Sequence, residues 1–131
     1  FANNKFRPIS QDIDKILAPT LATSDASADY CSEDYVGTRF EVVLETLFDD
    51  SRHHLTEKVL RPIACEQAFI LAATPYSLEY LRSYGFKTFN PWIDESYDNV
   101  IDPLERLNTI VNEMKRISNL PADEKFKVYS E

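Results

Sequence analysis

Residues 39–71 read RFEVVLETLFDDSRHHLTEKVLRPIACEQAFIL, and the fold turns on how this stretch is parsed. Phe40 to Leu44 (FEVVL) is a compact run of β-branched and aromatic residues, which predicts a central strand. A polar loop over Glu45 to Leu55 follows. Thr56 then offers its hydroxyl as a helix N-cap, with Glu57 in the first turn where an acidic residue is favoured. Val59, Leu60, Ile63 and Ala64 are expected to face inward. Pro62 falls inside that pattern, so either the helix kinks there or it begins later. Ala68 to Ala73 (AFILAA) predicts a second buried strand.

Downstream the alternation continues. Thr74-Pro75 reads as a cap followed by proline at the first helical position, with Leu78, Leu81 and Tyr84 at helical spacing and Gly85 as terminator. Phe86 to Phe89 (FKTF) predicts a short third strand, and 90–101 (NPWIDESYDNVI) a polar, aromatic loop. Asp102-Pro103-Leu104-Glu105 combines a cap, a first-position proline and a following acidic residue. Leu104, Leu107, Ile110, Val111, Met114 and Ile117 then recur every three or four residues, an amphipathic helix to about Asn119 that Pro121 ends. Upstream, Ser10 caps a short expected helix over Gln11 to Ala18, and the small, acidic stretch from Thr20 to Asp34 reads as a linker. The expected division is an N-terminal arm and linker over 1–37, an α/β domain over 38–120 and a polar tail over 121–131.

Strand, helix, strand, helix, strand, helix is the signature of a parallel sheet with helices on both faces. The expected class is α/β, a Rossmann-like three-layer αβα arrangement on a small, mainly parallel sheet. Three strands leave two edges to protect, so further strands are expected from 1–37, from a partner chain or from a missing domain.

At 131 residues the chain is one domain by length. A net charge of −8 argues against nucleic acid and anionic membranes, whose binding needs a surplus of Lys and Arg on one face. No apolar run is long enough to cross a bilayer. Cys31 and Cys65 do not make a disulfide framework, and a cytoplasmic location is the default expectation. The first residue is Phe1 rather than Met, which fits a trimmed chain, a processed product or an incomplete frame of a longer protein.

In an open parallel sheet, ligands bind beyond the carboxyl ends of the strands. The loops 45–56, 73–76 and 90–101 are expected to meet there. The first ends at a helix N-terminus, where unpaired N–H groups and the dipole favour an anion. Arg52, His53, His54, Lys58 and Arg61 surround that terminus in an otherwise acidic chain, and phosphate is the expected anion. A solvated-face reading serves Arg52 and Arg61 equally well. Adjacent histidines point apart and no third ligand is indicated, so no metal is expected. With only Gly37 and Gly85 in the chain, no glycine-rich phosphate loop exists. In the loop 90–101, Trp92, Asp94, Glu95, Tyr97 and Asp98 suit a sugar or a nucleoside, or else Trp92 and Tyr97 cover the sheet end.

The segment ETLFDDSRHHLTEKVLRPIACEQAFILAA resembles the donor-binding half of glycosyltransferases built from two facing Rossmann-like domains, the fucosyltransferase-like group above all. There a strand ending in glutamate leads to a Thr-Glu-Lys helix start, matched here by Glu45 and by Thr56-Glu57-Lys58. The continuation SLEYLRSYGFKTFNPWIDESYDNVIDPLERL resembles that of phage and marine bacterial proteins regarded as glycosyltransferases. The likeness covers about residues 38–118, and its most specific motif is three residues long.

The resemblance implies that Lys58 contacts the diphosphate of a nucleotide-sugar donor and that Glu57 holds the ribose. It sets the expected ligand-binding residues at Glu45, Arg52, His54, Thr56, Glu57, Lys58, Asp94 and Tyr97, with no cofactor. Such transferases carry a second, acceptor-side domain that supplies the general base, and 131 residues do not hold one. The expected function is therefore nucleotide-sugar binding within a larger glycosyltransferase, with no catalytic residue assigned. The alternative is a non-catalytic α/β interaction domain that forms a homodimer or docks on a missing partner domain.

Overall fold

A computed structural model gives the fold and describes residues 33–90 and 92–125. A short helix α1 (Glu33–Val36) precedes strand β1 (Phe40–Leu44). Helix α2 (Glu57–Ala64), strand β2 (Ala68–Ala72) and helix α3 (Ser77–Ser83) come next. A 3-10 helix (Glu95–Asn99) then leads into the long helix α4 (Pro103–Asn119). The expected α/β class and small parallel sheet are both present. The helix expected over 11–18 lies outside the described residues.

β1 and β2 pair in parallel, with Phe40 opposite Ala68 and Leu44 opposite Ala72, and the ladder is extended where Glu45 N donates to Ala72 O at 3.0 Å. All five residues of β2 are buried, so both of its faces are covered. α2 packs on both strands and α4 on β2. Val43, Val59, Phe69, Ile70, Leu71, Leu78, Leu81, Ile93, Tyr97, Ile110 and Ile117 form one core cluster. Burying an aliphatic side chain of this kind contributes about 1.5–3 kcal/mol.

The expected third strand is absent among the described residues: 86–89 has no ladder partner. Its side chains still pack, Phe89 meeting Phe69 edge to face with centroids 5.0 Å apart, and Phe89 N donates to Glu95 Oε1 at 2.7 Å. On β2 itself, Leu71 N donates to the Tyr97 hydroxyl at 3.2 Å. A tyrosine side chain thus takes a backbone donor that a neighbouring strand would otherwise use.

Other local expectations shift. α2 starts where Thr56 predicts, with Pro62 inside it and buried, so its start is not displaced. Val59 is fully buried, whereas Leu60 is half exposed and Ala64 exposed, so only part of the expected inward face is inward. α3 starts at Ser77 rather than at Pro75 and has no local side-chain cap. α4 buries Arg106, Ile110, Glu113 and Ile117, while Leu104, Leu107 and Met114 stay largely exposed. The tail is helical again over 122–125.

Candidate functional site

The loops 45–56, 73–76 and 90–101 do meet at the carboxyl end of the sheet, and hydrogen bonds tie them. Thr74 Oγ1 donates to Arg52 O at 3.2 Å, and His53 Nε2 donates to Pro75 O at 3.1 Å. Tyr76 N donates to Asp98 O at 2.7 Å. Arg106 closes the arrangement from α4. Its side chain is buried and donates to the carbonyls of Val100 (2.7 Å), Ile101 (2.9 Å) and Phe48, with its guanidinium 4.4 Å above the Phe48 ring. Burial pulls the Arg106 guanidinium below its ordinary value, against the pull of Asp49, Asp102 and Asp98.

Two helices begin at this end of the sheet. At α2, Thr56 is extended and its Oγ1 accepts from Lys58 N at 3.2 Å, which caps one of the orphan N–H groups of a helix start. The buried Glu45, one residue past β1, accepts from Thr56 N at 2.9 Å and from the Thr56 hydroxyl at 2.7 Å. Lys58 Nζ donates to Thr46 Oγ1 at 2.8 Å and to Thr56 Oγ1 at 3.4 Å, and it makes no ion pair among the described residues. Glu45, Thr46, Thr56 and Lys58 are therefore one hydrogen-bonded group, with Glu57 partly exposed beside it.

At α3 the cap comes from twenty residues away. The Asp98 carboxylate accepts from Leu78 N at 2.9 Å and Glu79 N at 3.2 Å. Asp98 is buried, and desolvation raises its pKa, opposed by these backbone hydrogen bonds and by Arg82. Asp98 also stabilises the turn before α3, where Tyr76 takes a left-handed conformation (φ 63°). A carboxylate already occupies the place an external anion would take at α3.

The remaining expected site residues separate. Arg52 is exposed and donates to Asp50 through Nε and Nη2 (3.1 and 2.8 Å), which holds the Asp50 carboxyl well below the usual range. Arg61 interacts instead with Tyr35 and Glu41. Tyr97 is only 1% exposed and belongs to the core. Asp94 caps the 3-10 helix through Ser96 N at 3.0 Å, a bond that lowers its pKa. Neither Asp94 nor Tyr97 joins the Lys58 group.

Two surface clefts are prominent. One of about 350 Å³ lies between α2 and α3 and is lined by His53, His54, Leu55, Thr56, Val59, Leu60, Tyr80, Leu81, Tyr84 and Phe86. His53 stacks on Tyr80 at 5.0 Å, and the Tyr80 and Tyr84 hydroxyls are 2.7 Å apart. Thr56 belongs both to this wall and to the Lys58 group. The other, open cleft of about 1000 Å³ is lined in part by Trp92, Asp94, Glu95, Arg82 and Arg116. Its two arginines are already neutralised, Arg82 by Glu95 at 3.1 Å and Arg116 by Glu113 at 2.6 Å. Among the described residues, the smaller cleft has no ion pair in its lining and shares Thr56 with the Lys58 group.

No group of three or more His, Cys, Asp or Glu among the described residues is placed to hold a metal ion, and no described helix is long and apolar enough to cross a membrane. Three residues that sequence reasoning left unassigned prove central: Thr46, Asp98 as a cap, and Arg106. The alternation of α4 hides Arg106, because a periodic pattern ranks residues by apolarity and this buried position holds a charge. Compared with models of protein families, with curated proteins and with solved structures, the chain matches none.

Proposed function

We propose that this domain binds the diphosphate of a nucleotide-sugar donor at the start of α2, as the donor-side part of a larger glycosyltransferase. One observation carries the reading: Lys58 sits at the carboxyl end of the sheet, held by two threonine hydroxyls and by no carboxylate among the described residues. An ammonium has three donors, so at least one remains for a ligand. The helix dipole adds to its field. In glycosyl transfer the diphosphate departs with increasing negative charge, and a fixed cation beside it stabilises that charge most as the bond breaks. Thr46 and Thr56 hold the ammonium in place, and His54 is exposed at the mouth of the adjoining cleft. Arg52 has its charge matched by Asp50, and the reading does not depend on it. The acceptor and its general base belong to a second domain.

Thermal unfolding in the presence of millimolar UDP or GDP tests this. Ligand at one hundred times its Kd stabilises the fold by about 2.7 kcal/mol, a clear rise in Tm. The rise is expected to vanish in Lys58→Ala. No rise, or one that survives the substitution, removes the proposal.

A second reading has its own observation. Leu104 and Leu107 on α4 are 66% and 45% exposed, with Met114 and Ile101 also open. Apolar side chains at this spacing suit a homodimer or partner-domain interface. Sedimentation of the wild type and of Leu107→Lys decides it: a dimer that the charge disperses supports the interface, and a monomer at all concentrations dismisses the homodimer.

A further inference from the structure

We propose that the open cleft framed by α3, the segment after it and Arg116 of α4 binds a neutral oligosaccharide across the indole of Trp92. The inference goes beyond the diphosphate reading and does not rest on it, because none of Glu45, Thr46, Thr56 and Lys58 lines this cleft. It needs no nucleotide and no bond making. Trp92 is half-buried, packing on the core while also lining the cleft. Its backbone is fixed on both sides: Trp92 N donates to Phe89 O at 2.7 Å, and its carbonyl accepts from Arg116 Nη2 at 3.0 Å. Two carboxylates whose side chains are 8% and 6% exposed, Glu95 and Glu113, fix the rest of the rim. Glu95 accepts from Phe89 N at 2.7 Å, Thr88 Oγ1 at 2.8 Å and Arg82 Nη1 at 3.1 Å. Glu113 accepts from Asp94 N at 2.8 Å and Arg116 Nη2 at 2.6 Å. A cleft held this way is formed before its ligand arrives, so binding costs little ordering of the protein.

Charge and size select the ligand class. The cations of the lining are Arg82, Lys87 and Arg116; against them stand Asp94 and Glu95, with Glu113 paired to Arg116, so the charges cancel. A cleft without net charge gives a phosphate no attraction and leaves a neutral ligand undisturbed. About 1000 Å³ is at the upper end of small-molecule sites, which suits a chain of rings better than one. A sugar ring has a face of C–H groups and a rim of hydroxyls. The face covers an aromatic ring such as Trp92, which keeps an apolar body open to the cleft. The rim is matched by planar groups that reach two neighbouring hydroxyls at once. Asn90 and Asn99 are exposed in the lining, and each amide supplies two donors and an acceptor. Each guanidinium carries five donors, more than Arg82 and Arg116 spend on the partners named above.

Trp92 is the single tryptophan of the chain, so its fluorescence reports on the cleft directly. The probes are maltohexaose, cellohexaose and N-acetylchitohexaose, each titrated into the intact chain, with UDP and inorganic pyrophosphate as competitors. Trp92→Leu keeps an apolar side chain on the core and removes the flat face; its binding is followed by amide shifts, which also report whether it remains folded. At least one of the three oligosaccharides is expected to change Trp92 emission saturably at millimolar concentration. Affinity is expected to fall about ten-fold in Trp92→Leu and about five-fold in Asn99→Ala. Should Trp92→Leu fail to fold, the exposed Asn90→Ala and Asn99→Ala decide alone. Lys58→Ala and pyrophosphate are expected to leave binding unchanged. No response to any of the three oligosaccharides, or binding indifferent to every substitution in the cleft, overturns the proposal. Displacement by UDP, or loss of binding in Lys58→Ala, would assign the sugar to the donor site and overturn a separate one.

Discussion

The starts of α2 and α3 occupy equivalent places, each following a strand of the same parallel sheet, and they are finished in opposite ways. At α2 the cap is a neutral threonine from the adjacent position, the nearby carboxylate is bonded to that threonine, and a lysine stands without an ion pair among the described residues. At α3 the cap is a buried aspartate from a distant loop, and its charge lies directly on the helix N–H groups. The same topology thus yields one end with a cation to spare and one already neutralised. What an α/β sheet can bind at its carboxyl end depends on whose charge fills each helix start.

Arg106 is the joint between the two, since it donates to Phe48 O on one side and to Val100 O and Ile101 O on the other. Arg106→Ala strands three carbonyls and is expected to cost about 3 kcal/mol or more in chemical denaturation. Little loss would mean that the loops are held together by packing alone. Asp98→Ala strands the Leu78 and Glu79 N–H groups and is expected to cost about 2 kcal/mol. Thr56→Ala removes a local cap and is expected to cost about 1 kcal/mol. An equal cost for the two would erase the energetic side of the contrast.

Acidity sharpens the same comparison. Asp98 titrates above the ordinary aspartate range because it is buried. As pH rises from that ordinary value through the raised one, the unfolded chain releases its proton first, so ionising Asp98 costs stability across the window. Unfolding measured against pH is expected to show this slope, and Asp98→Asn to flatten it. Smallest of all, Tyr76→Gly relieves a left-handed turn and is expected to stabilise the fold by up to about 1 kcal/mol. A loss there would show that the Tyr76 side chain matters more than its backbone strain.

Which features were legible in sequence follows from the same physics. Thr56 and Asp102 cap the helices they immediately precede, Asp102 accepting from Glu105 N at 2.8 Å, and both were readable because cap and helix are neighbours in the chain. The strands 40–44 and 68–72 announced themselves as short runs rich in large apolar residues. The start of α3 was not readable, because Thr74 and Pro75 look like a cap and Asp98 supplies it from elsewhere. Phe86 to Phe89 has strand-like composition but lacks a backbone partner, a tertiary fact that composition does not carry. The Lys58 group was anticipated as a cluster. Its actual members changed with pairing: Arg52 left it to Asp50, and Thr46 joined it.

Amide shifts under titration with inorganic pyrophosphate test the contrast most directly, because each helix start reports on itself. Saturable shifts at Thr46, Glu57 and Lys58, with Leu78 and Glu79 unmoved, are the expected result. Shifts that favour Leu78 and Glu79, or that leave Lys58 unmoved at millimolar pyrophosphate, would contradict it.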